Sequence, residues 1–171
     1  LKTFPELLRE TGYYTGNVSK TDYNFAVPPG AWSGVRARAH WRARSPEQPF
    51  LYVHNLNVTH ESKVRQPESE FQNLTRRVRP EQRQDPATVI VPPYHPDTPK
   101  VRREWARYYD MVTQMDYEVV NVLQQLDEDE LADDTIVFLF SDHGTGLPRA
   151  KQFVFDCGMR VPLIIRFGEN W

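Results

Sequence analysis

The sequence predicts an α/β fold, in three layers, with an α/β/α sandwich around a mainly parallel sheet. A long amphipathic helical pattern leads into an unbroken apolar run at residues 135–140, and a second apolar run stands at residues 50–53. Continuous apolar strands are typical of sheets that helices cover on both faces. The chain of 171 residues is long enough for one domain with a sizeable core.

The first elements are a short helix and a strand. Thr3 can cap a helix whose first turn contains Pro5, and Gly12 can end it. Residues 13–18 then predict a strand, and residues 26–34, rich in Pro and Gly, predict an irregular loop that packs onto the protein.

The middle of the chain predicts one buried strand followed by a long polar segment. Residues 50–53 form the apolar run expected of a buried strand. Residues 61–99 are polar, contain seven prolines and have one apolar island at residues 89–91. We therefore expect this segment to be a long excursion over the surface.

The last third predicts a long helix and two strands. Thr98 and Pro99 form a strong helix start, and apolar residues recur at helical spacing as far as Leu126. The acidic residues 127–134 end that helix, residues 135–140 predict a strand covered on both faces, and residues 161–167 predict another strand.

Composition narrows the possible functions. The 21 basic and 23 acidic residues nearly balance, and no aromatic residues alternate with the arginines, so nucleic acid is not an expected partner. No apolar run approaches the roughly 20 residues of a membrane span. The single cysteine, Cys157, excludes an internal disulfide framework. With no initiator methionine, we expect Leu1 to lie inside a longer protein.

The sharpest local motif is Ser141-Asp142-His143-Gly144, directly after the predicted strand that ends at residue 140. Functional groups of α/β sheets gather at the carboxyl ends of strands. A carboxylate beside an imidazole there can bind a divalent cation. The alternative is structural: aspartate caps turns, and histidine often hydrogen-bonds to the backbone.

Three further polar residues follow strands or turns: Lys20, His60 and Lys151. Each by itself is compatible with an ordinary surface position. Together with a metal ion, two cations and an imidazole would offset the charge of a tetrahedral sulfate or phosphate group.

These motifs together resemble the sulfatases of the alkaline-phosphatase superfamily, and most of all the heparan N-sulfatase (sulfamidase) branch. The resemblance covers essentially the whole chain. It rests on residues 16–22, Thr59-His60, residues 141–144, Ala150-Lys151 and residues 158–162, and, for the branch, on residues 91–99 and Met115-Asp116.

The resemblance implies a sulfuric ester or sulfamate hydrolase that acts on a sulfated sugar. It implies that Asp142 and His143 bind one divalent metal ion, expected to be calcium, although an imidazole ligand suits transition metals better. It further implies that Lys20, His60 and Lys151 are catalytic residues that hold sulfate oxygens, with His60 or Lys151 protonating the leaving group.

Two departures from the family pattern stand out. Asp22 occupies the position where the family commonly has a histidine beside the nucleophile. The paired acidic metal ligands and the Cys-x-Pro-Ser-Arg motif that yields formylglycine are not in these 171 residues, and Cys157, without Pro-Ser-Arg after it, is interpreted as a packing residue. We therefore expect residues 1–171 to be an internal part of a single catalytic domain, without its nucleophile segment and C-terminal part, and inactive alone.

Other functions stay open at this point. One is a phosphoesterase or phosphonate monoester hydrolase of the same superfamily, and another is a non-catalytic remnant that binds anionic glycan.

The resemblance implies an exported protein, whether periplasmic, secreted or lysosomal. The arginine clusters at residues 36–44 and 76–83 suggest a groove for sulfated polysaccharide, and three Asn-x-Ser/Thr sequons begin at Asn17, Asn57 and Asn73. The oligomeric state stays open.

Overall fold

The computed structural model describes residues 2–171, which form two compact units. The first unit ends at Asn55 and the second is Leu56–Trp171. The first contains α1 (Phe4–Glu10), β1 (Tyr14–Asn17), β2 (Gly34–Val35) and β3 (Phe50–Val53). The second contains α2 (Glu61–Val64), α3 (Glu68–Leu74), α4 (Pro99–Glu128), β4 (Val137–Phe140), α5 (Asp156–Met159) and β5 (Leu163–Arg166).

The first unit is built on a three-stranded parallel sheet with the order β2-β1-β3. Its leading helix begins as predicted, because the Thr3 backbone N–H donates to the Glu6 carboxylate over 2.8 Å and Pro5 occupies the first turn. Gly12, at φ +97°, ends the helix in the left-handed region that favours glycine. The helix and both predicted strands are confirmed.

An aromatic cluster forms the core of this unit. Trp41 is 1% exposed, stacks on Phe50 at 5.7 Å between ring centroids and meets Tyr52 edge-on at 4.9 Å. The predicted irregular loop at residues 26–34 is confirmed, with Ala31 buried, except that its last residue opens the short strand β2.

The second unit packs around α4, a helix of 30 residues that starts at the predicted Thr98 cap and Pro99. The interior is lined by Val64, Phe71, Val89, Trp105, Met111 and Leu147. Because α4 buries only one stripe of side chains, its other face stays polar. Across residues 2–171, none of the helices combines the length and the apolar character that crossing a membrane requires.

The expectation that residues 61–99 run over the surface is wrong. This segment forms α2, α3 and a 3₁₀ turn at Pro80–Gln82, and it buries Val64, Phe71 and Val89 against α4. A few widely spaced apolar side chains suffice to dock short helices, and a polar average composition conceals them.

Charged side chains of α4 anchor the same segment. The buried Asp110 accepts hydrogen bonds from Arg83 at 3.1 Å and from the Gln84 backbone at 2.9 Å. Arg107 donates to the carbonyl oxygens of Val64 and Gln66 and lies over the Phe71 ring. These contacts satisfy backbone N–H and C=O groups of residues 61–99 that would otherwise lack hydrogen-bond partners.

The strands β4 and β5 pair antiparallel, with Val137 opposite Arg166 and Phe140 opposite Leu163. Within residues 2–171 these strands are not covered on both faces, because Phe138 and Phe140 are 56% and 65% exposed and all of β5 is exposed. The predicted strand positions are confirmed, as is the α/β class with a parallel sheet as the larger of the two.

Candidate functional site

The motif at residues 141–144, which follows β4, folds into a tight turn held by hydrogen bonds among its own residues. The Ser141 hydroxyl donates to the His143 carbonyl oxygen, and the Asp142 carboxylate accepts the His143 backbone N–H at 3.1 Å. His143 Nδ1 lies 2.7 Å from the Gly144 carbonyl oxygen. A carbonyl oxygen only accepts, so Nδ1 carries the proton and Nε2 presents its lone pair.

This tautomer is the one that a metal ligand needs. His143 Nε2 lies 3.8 Å from Asp142 Oδ2, and the Asp142 side chain is largely exposed. A lone pair and a carboxylate oxygen on the same side of the turn suit one shared cation, with the Nδ1 hydrogen bond fixing the ring orientation.

The residues present fit part of a metal site. Between residues 2 and 171, no group of three or more His, Cys, Asp or Glu side chains is arranged to hold a metal ion. Asp142 and His143 therefore supply two ligands at most, fewer than calcium or a transition metal binds.

Gly144 is required by close packing. A Cβ atom there would stand 1.8 Å from the Cys157 carbonyl oxygen, and the Gly144 N–H donates to the Gly158 carbonyl oxygen at 2.9 Å. The reason for a glycine here is therefore steric, since its φ lies outside the left-handed region.

His60 caps the first turn of α2. Its Nδ1 accepts the Ser62 backbone N–H at 3.3 Å and lies 2.9 Å from the Ser62 hydroxyl. In this neutral form the proton is on Nε2, which has no hydrogen-bond partner in the part of the chain that the structure describes. His60 thus combines the structural role considered at the start with a donor that remains available.

Lys151 forms an ion pair with Glu61, with 2.8 Å between Nζ and Oε2. The hydrogen bond from Lys151 lowers the pKa of Glu61, and the positive charge of Lys151 lowers that pKa further. Gly146 permits this pairing, because a Cβ there would stand 2.5 Å from the Glu61 Cβ. Glu61 therefore pairs with the predicted Lys151 and directly follows the predicted His60 in the chain.

Sequence reasoning missed Glu61. The residue is adjacent to His60 and begins α2, so it reads as an ordinary acidic residue in the first turn of a helix. Only its spatial proximity to Lys151, 90 residues later in the numbering, identifies it.

Lys20 belongs to the first unit. Its carbonyl oxygen accepts from the buried Asn17 side chain at 3.1 Å, and Asn55 donates to that same asparagine at 2.9 Å. The Lys20 ammonium lies 3.9 Å from the exposed Asp22 carboxylate, a loose pair in solvent. The backbone after β1 is thus held firmly while the Lys20 side chain remains accessible.

The arginine clusters, the first sequon and Cys157 have mainly structural surroundings. In the arginine clusters, Arg44, Arg77 and Arg83 donate to groups of their own unit, which weakens the polysaccharide-groove hypothesis. Asn17 is 2% exposed and hydrogen-bonded, so the first sequon is buried in this fold. Cys157 lies partly buried with Sγ 3.6 Å from the Arg149 carbonyl oxygen.

Comparison with known proteins decides the family, because the sulfatase family model matches residues 36–171. The chain belongs to the sulfatase family. It is 36% identical over 192 aligned positions to an ulvan-active sulfatase of Formosa agariphila. This alignment covers 98% of this chain and 32% of that protein. It is 35% identical over 86 aligned positions to the human N-sulphoglucosamine sulphohydrolase. This second alignment covers 50% of this chain and 17% of that protein. The family resemblance is confirmed, and the chain spans a third or less of these relatives.

Proposed function

We propose that the full-length protein hydrolyses sulfate esters or sulfamates of a sulfated sugar. The observation that supports this most directly is the ion pair between Lys151 and Glu61, which places the lysine beside His60 at the start of α2. Cationic and imidazole donors around one point suit a tetrahedral anion. Both relatives carry names of sulfatases, one active on ulvan and one on N-sulphoglucosamine.

Lys151 is proposed to bind a sulfate oxygen while it keeps its contact with Glu61. An ammonium group has three donors, so one can stay on the Glu61 carboxylate while the others meet the substrate. The pairing also limits the rotamers of a long, flexible side chain. Glu61 is thus proposed as the residue that orients Lys151.

His60 is proposed to donate its Nε2–H to the sulfate group. When the S–O bond to the sugar breaks, the departing oxygen takes a proton, which His60 or Lys151 supplies. A protonated His60 would carry its second proton on Nδ1, where the Ser62 hydroxyl oxygen at 2.9 Å can accept it. Protonation therefore exchanges the Nδ1 partner from the Ser62 backbone N–H to the Ser62 hydroxyl oxygen.

Asp142 and His143 are proposed to contribute two ligands to a divalent metal ion, expected to be calcium. Such an ion, with a formylglycine supplied from outside these 171 residues, would provide the activated oxygen nucleophile that attacks sulfur. Lys20 is proposed as a further sulfate-binding residue. We also propose that the 171 residues are an internal part of one catalytic domain and that the whole protein is exported.

A competition assay on the full-length protein tests the function. Matched aryl sulfate, aryl sulfamate and aryl phosphonate monoesters would be offered, and kcat/KM measured for each. Sulfate or sulfamate turnover well above phosphonate turnover is expected. Faster phosphonate turnover would overturn the sulfatase proposal, and retention on a sulfated-glycan column without hydrolysis of any ester would indicate a binding protein.

A further inference from the structure

A cavity of about 270 Å³ lies in the second unit, beside the start of α4. Its walls include Tyr94, His95, Trp105, Leu147, Pro148 and Arg149. It holds none of the residues assigned to sulfate or metal above. Its lining is mostly aromatic and apolar with charged groups at the edge, which is the usual character of a small-molecule site.

The aromatic wall is fixed by hydrogen bonds. The Trp105 indole N–H donates to His95 Nδ1 at 3.1 Å, and His95 Nε2 therefore carries the proton and donates to the Pro148 carbonyl oxygen at 2.8 Å. Both nitrogens of His95 are satisfied, and the ring ties the segment before α4 to the turn at residues 147–149. The wall is consequently preformed, which lowers the entropy lost when a ligand binds.

Arg149 supplies the charge at the edge. Its guanidinium carbon stands 4.6 Å from the Phe155 ring centroid and 5.6 Å from that of Tyr94. No acidic side chain of residues 2–171 forms an ion pair with Arg149, and the residue is exposed. Stacking on two rings leaves the in-plane N–H donors free to bind a carboxylate or sulfate side-on.

The backbone conformation at Arg149 sets the direction of its side chain. Arg149 has φ 76° in the left-handed region, where a residue with a side chain is strained, and its carbonyl oxygen accepts from Cys157 Sγ at 3.6 Å. Two residues later the chain reaches Lys151, which Glu61 holds. One turn therefore presents a free guanidinium on the cavity side and the proposed sulfate-binding lysine just beyond it.

We propose that this cavity is a subsite for an acidic sugar residue next to the one that carries the scissile sulfate, with Arg149 binding its anionic substituent. The proposal rests on the proposed function. The apolar face of a sugar ring would pack on Tyr94 and Trp105, while Glu104, which also lines the cavity, offers an acceptor for a ring hydroxyl. Arg149 would then select among sulfated sugars.

The test uses the full-length enzyme with Arg149→Gln, Arg149→Lys and, as a matched control, Arg103→Gln, which removes a charge from another exposed arginine of the same unit. Three substrates are compared: an aryl sulfate, a sulfated disaccharide with a neutral neighbouring sugar, and one with a uronate neighbour. A fourth disaccharide with a sulfated neighbour separates a carboxylate ligand from a sulfate ligand.

We expect Arg149→Gln to lower kcat/KM for the acidic disaccharides about tenfold, mainly through KM, because one charge-assisted contact is lost. Turnover of the aryl sulfate and of the neutral disaccharide should change less than about twofold. Arg149→Lys should recover part of the loss, and Arg103→Gln should behave as wild type.

The alternatives are distinguishable. If the wild-type protein hydrolyses no sulfated substrate, the proposed function fails and the subsite with it. If it hydrolyses all of them and Arg149→Gln lowers every kcat/KM equally, or none, the function stands and the subsite proposal is overturned. Loss of the acidic preference with only one of the two anionic neighbours identifies the group that Arg149 binds.

Discussion

Two regions of the second unit reverse what their compositions suggest. Residues 61–99 are polar and rich in proline, yet they bury Phe71 and Val89 against α4. The strands β4 and β5 are almost wholly apolar, yet Phe140 and Leu163 are 65% and 61% exposed. Within residues 2–171, average composition therefore does not predict burial, because a few well-placed side chains decide what packs.

The comparison also separates stability from chemistry. The segment at residues 61–99 is anchored by the buried Asp110 and by Arg107, whereas the β4 end carries the exposed Asp142 and the partly exposed His143. Substitutions in the first region should change the free energy of unfolding. Those after β4 should change catalysis in the full-length protein and leave folding alone.

The largest effect is expected for Asp142→Ala. Loss of a metal ligand should lower kcat/KM for an aryl sulfate by at least about 1,000-fold, which corresponds to about 4 kcal/mol of transition-state stabilisation. The Asp142 side chain is 73% exposed, so Tm should change little. Unchanged turnover would remove Asp142 from the site, and unfolding of the variant would show the residue to be structural.

Phe71→Ala should give the largest loss of stability. Phe71 is 2% exposed and carries the Arg107 guanidinium 4.4 Å above its ring, so its truncation leaves a cavity and should cost about 3–5 kcal/mol in urea unfolding. The matched variant Phe138→Ala, at a residue 56% exposed, should cost about 1 kcal/mol or less. Equal costs in the full-length protein would mean that other parts of that protein cover β4, and the contrast between the two regions would disappear.

Lys151→Ala should lower the rate by about 100-fold, since it removes one charge from the proposed sulfate site. Glu61→Gln, which keeps the shape of the side chain but weakens its hold on Lys151, should have a smaller effect of the same sign. Thermal unfolding of both variants is the control. A Lys151→Ala protein that fails to fold would assign the lysine to structure.

The smallest effect concerns pH. Because Lys151 lowers the folded-state pKa of Glu61 below the ordinary value of a glutamate, the ion pair stabilises the fold above the unfolded-state pKa. That stabilisation is lost as pH falls through the lower folded-state pKa. The difference in stability between wild type and Glu61→Gln should therefore be constant near neutral pH and shrink below about pH 4. A difference that does not depend on pH would show that the two side chains do not interact.

Much of the fold was predictable because its signals are local. The Thr3 and Thr98 helix starts, the strand at Phe50–Val53 and the long helix α4 follow from capping residues and hydrophobic periodicity. The docking of α2 and α3 was not, because it depends on single side chains such as Phe71 meeting α4 from far along the chain.

The candidate site divides in the same way. The positions of Asp142 and His143 after a strand, and of His60 after another, are visible in the sequence, and the family match confirms the resemblance that their order suggested. The partner of Lys151 was not visible, because an acidic residue at the start of a helix is commonplace, and only the fold places this one beside a lysine.

The sequence by itself determined the α/β class, the sulfatase family and the residue types available for a metal ion and a sulfate group, since periodicity and motif order are properties of the chain. Only the tertiary structure decided the tautomer of His143, the pairing of Lys151 with Glu61 and the cavity beside Arg149. Each depends on distances between residues that the chain brings together by folding. Hydrogen bonds and ion pairs act over a few ångströms in space, and the spacing of residues in the sequence does not reveal those distances.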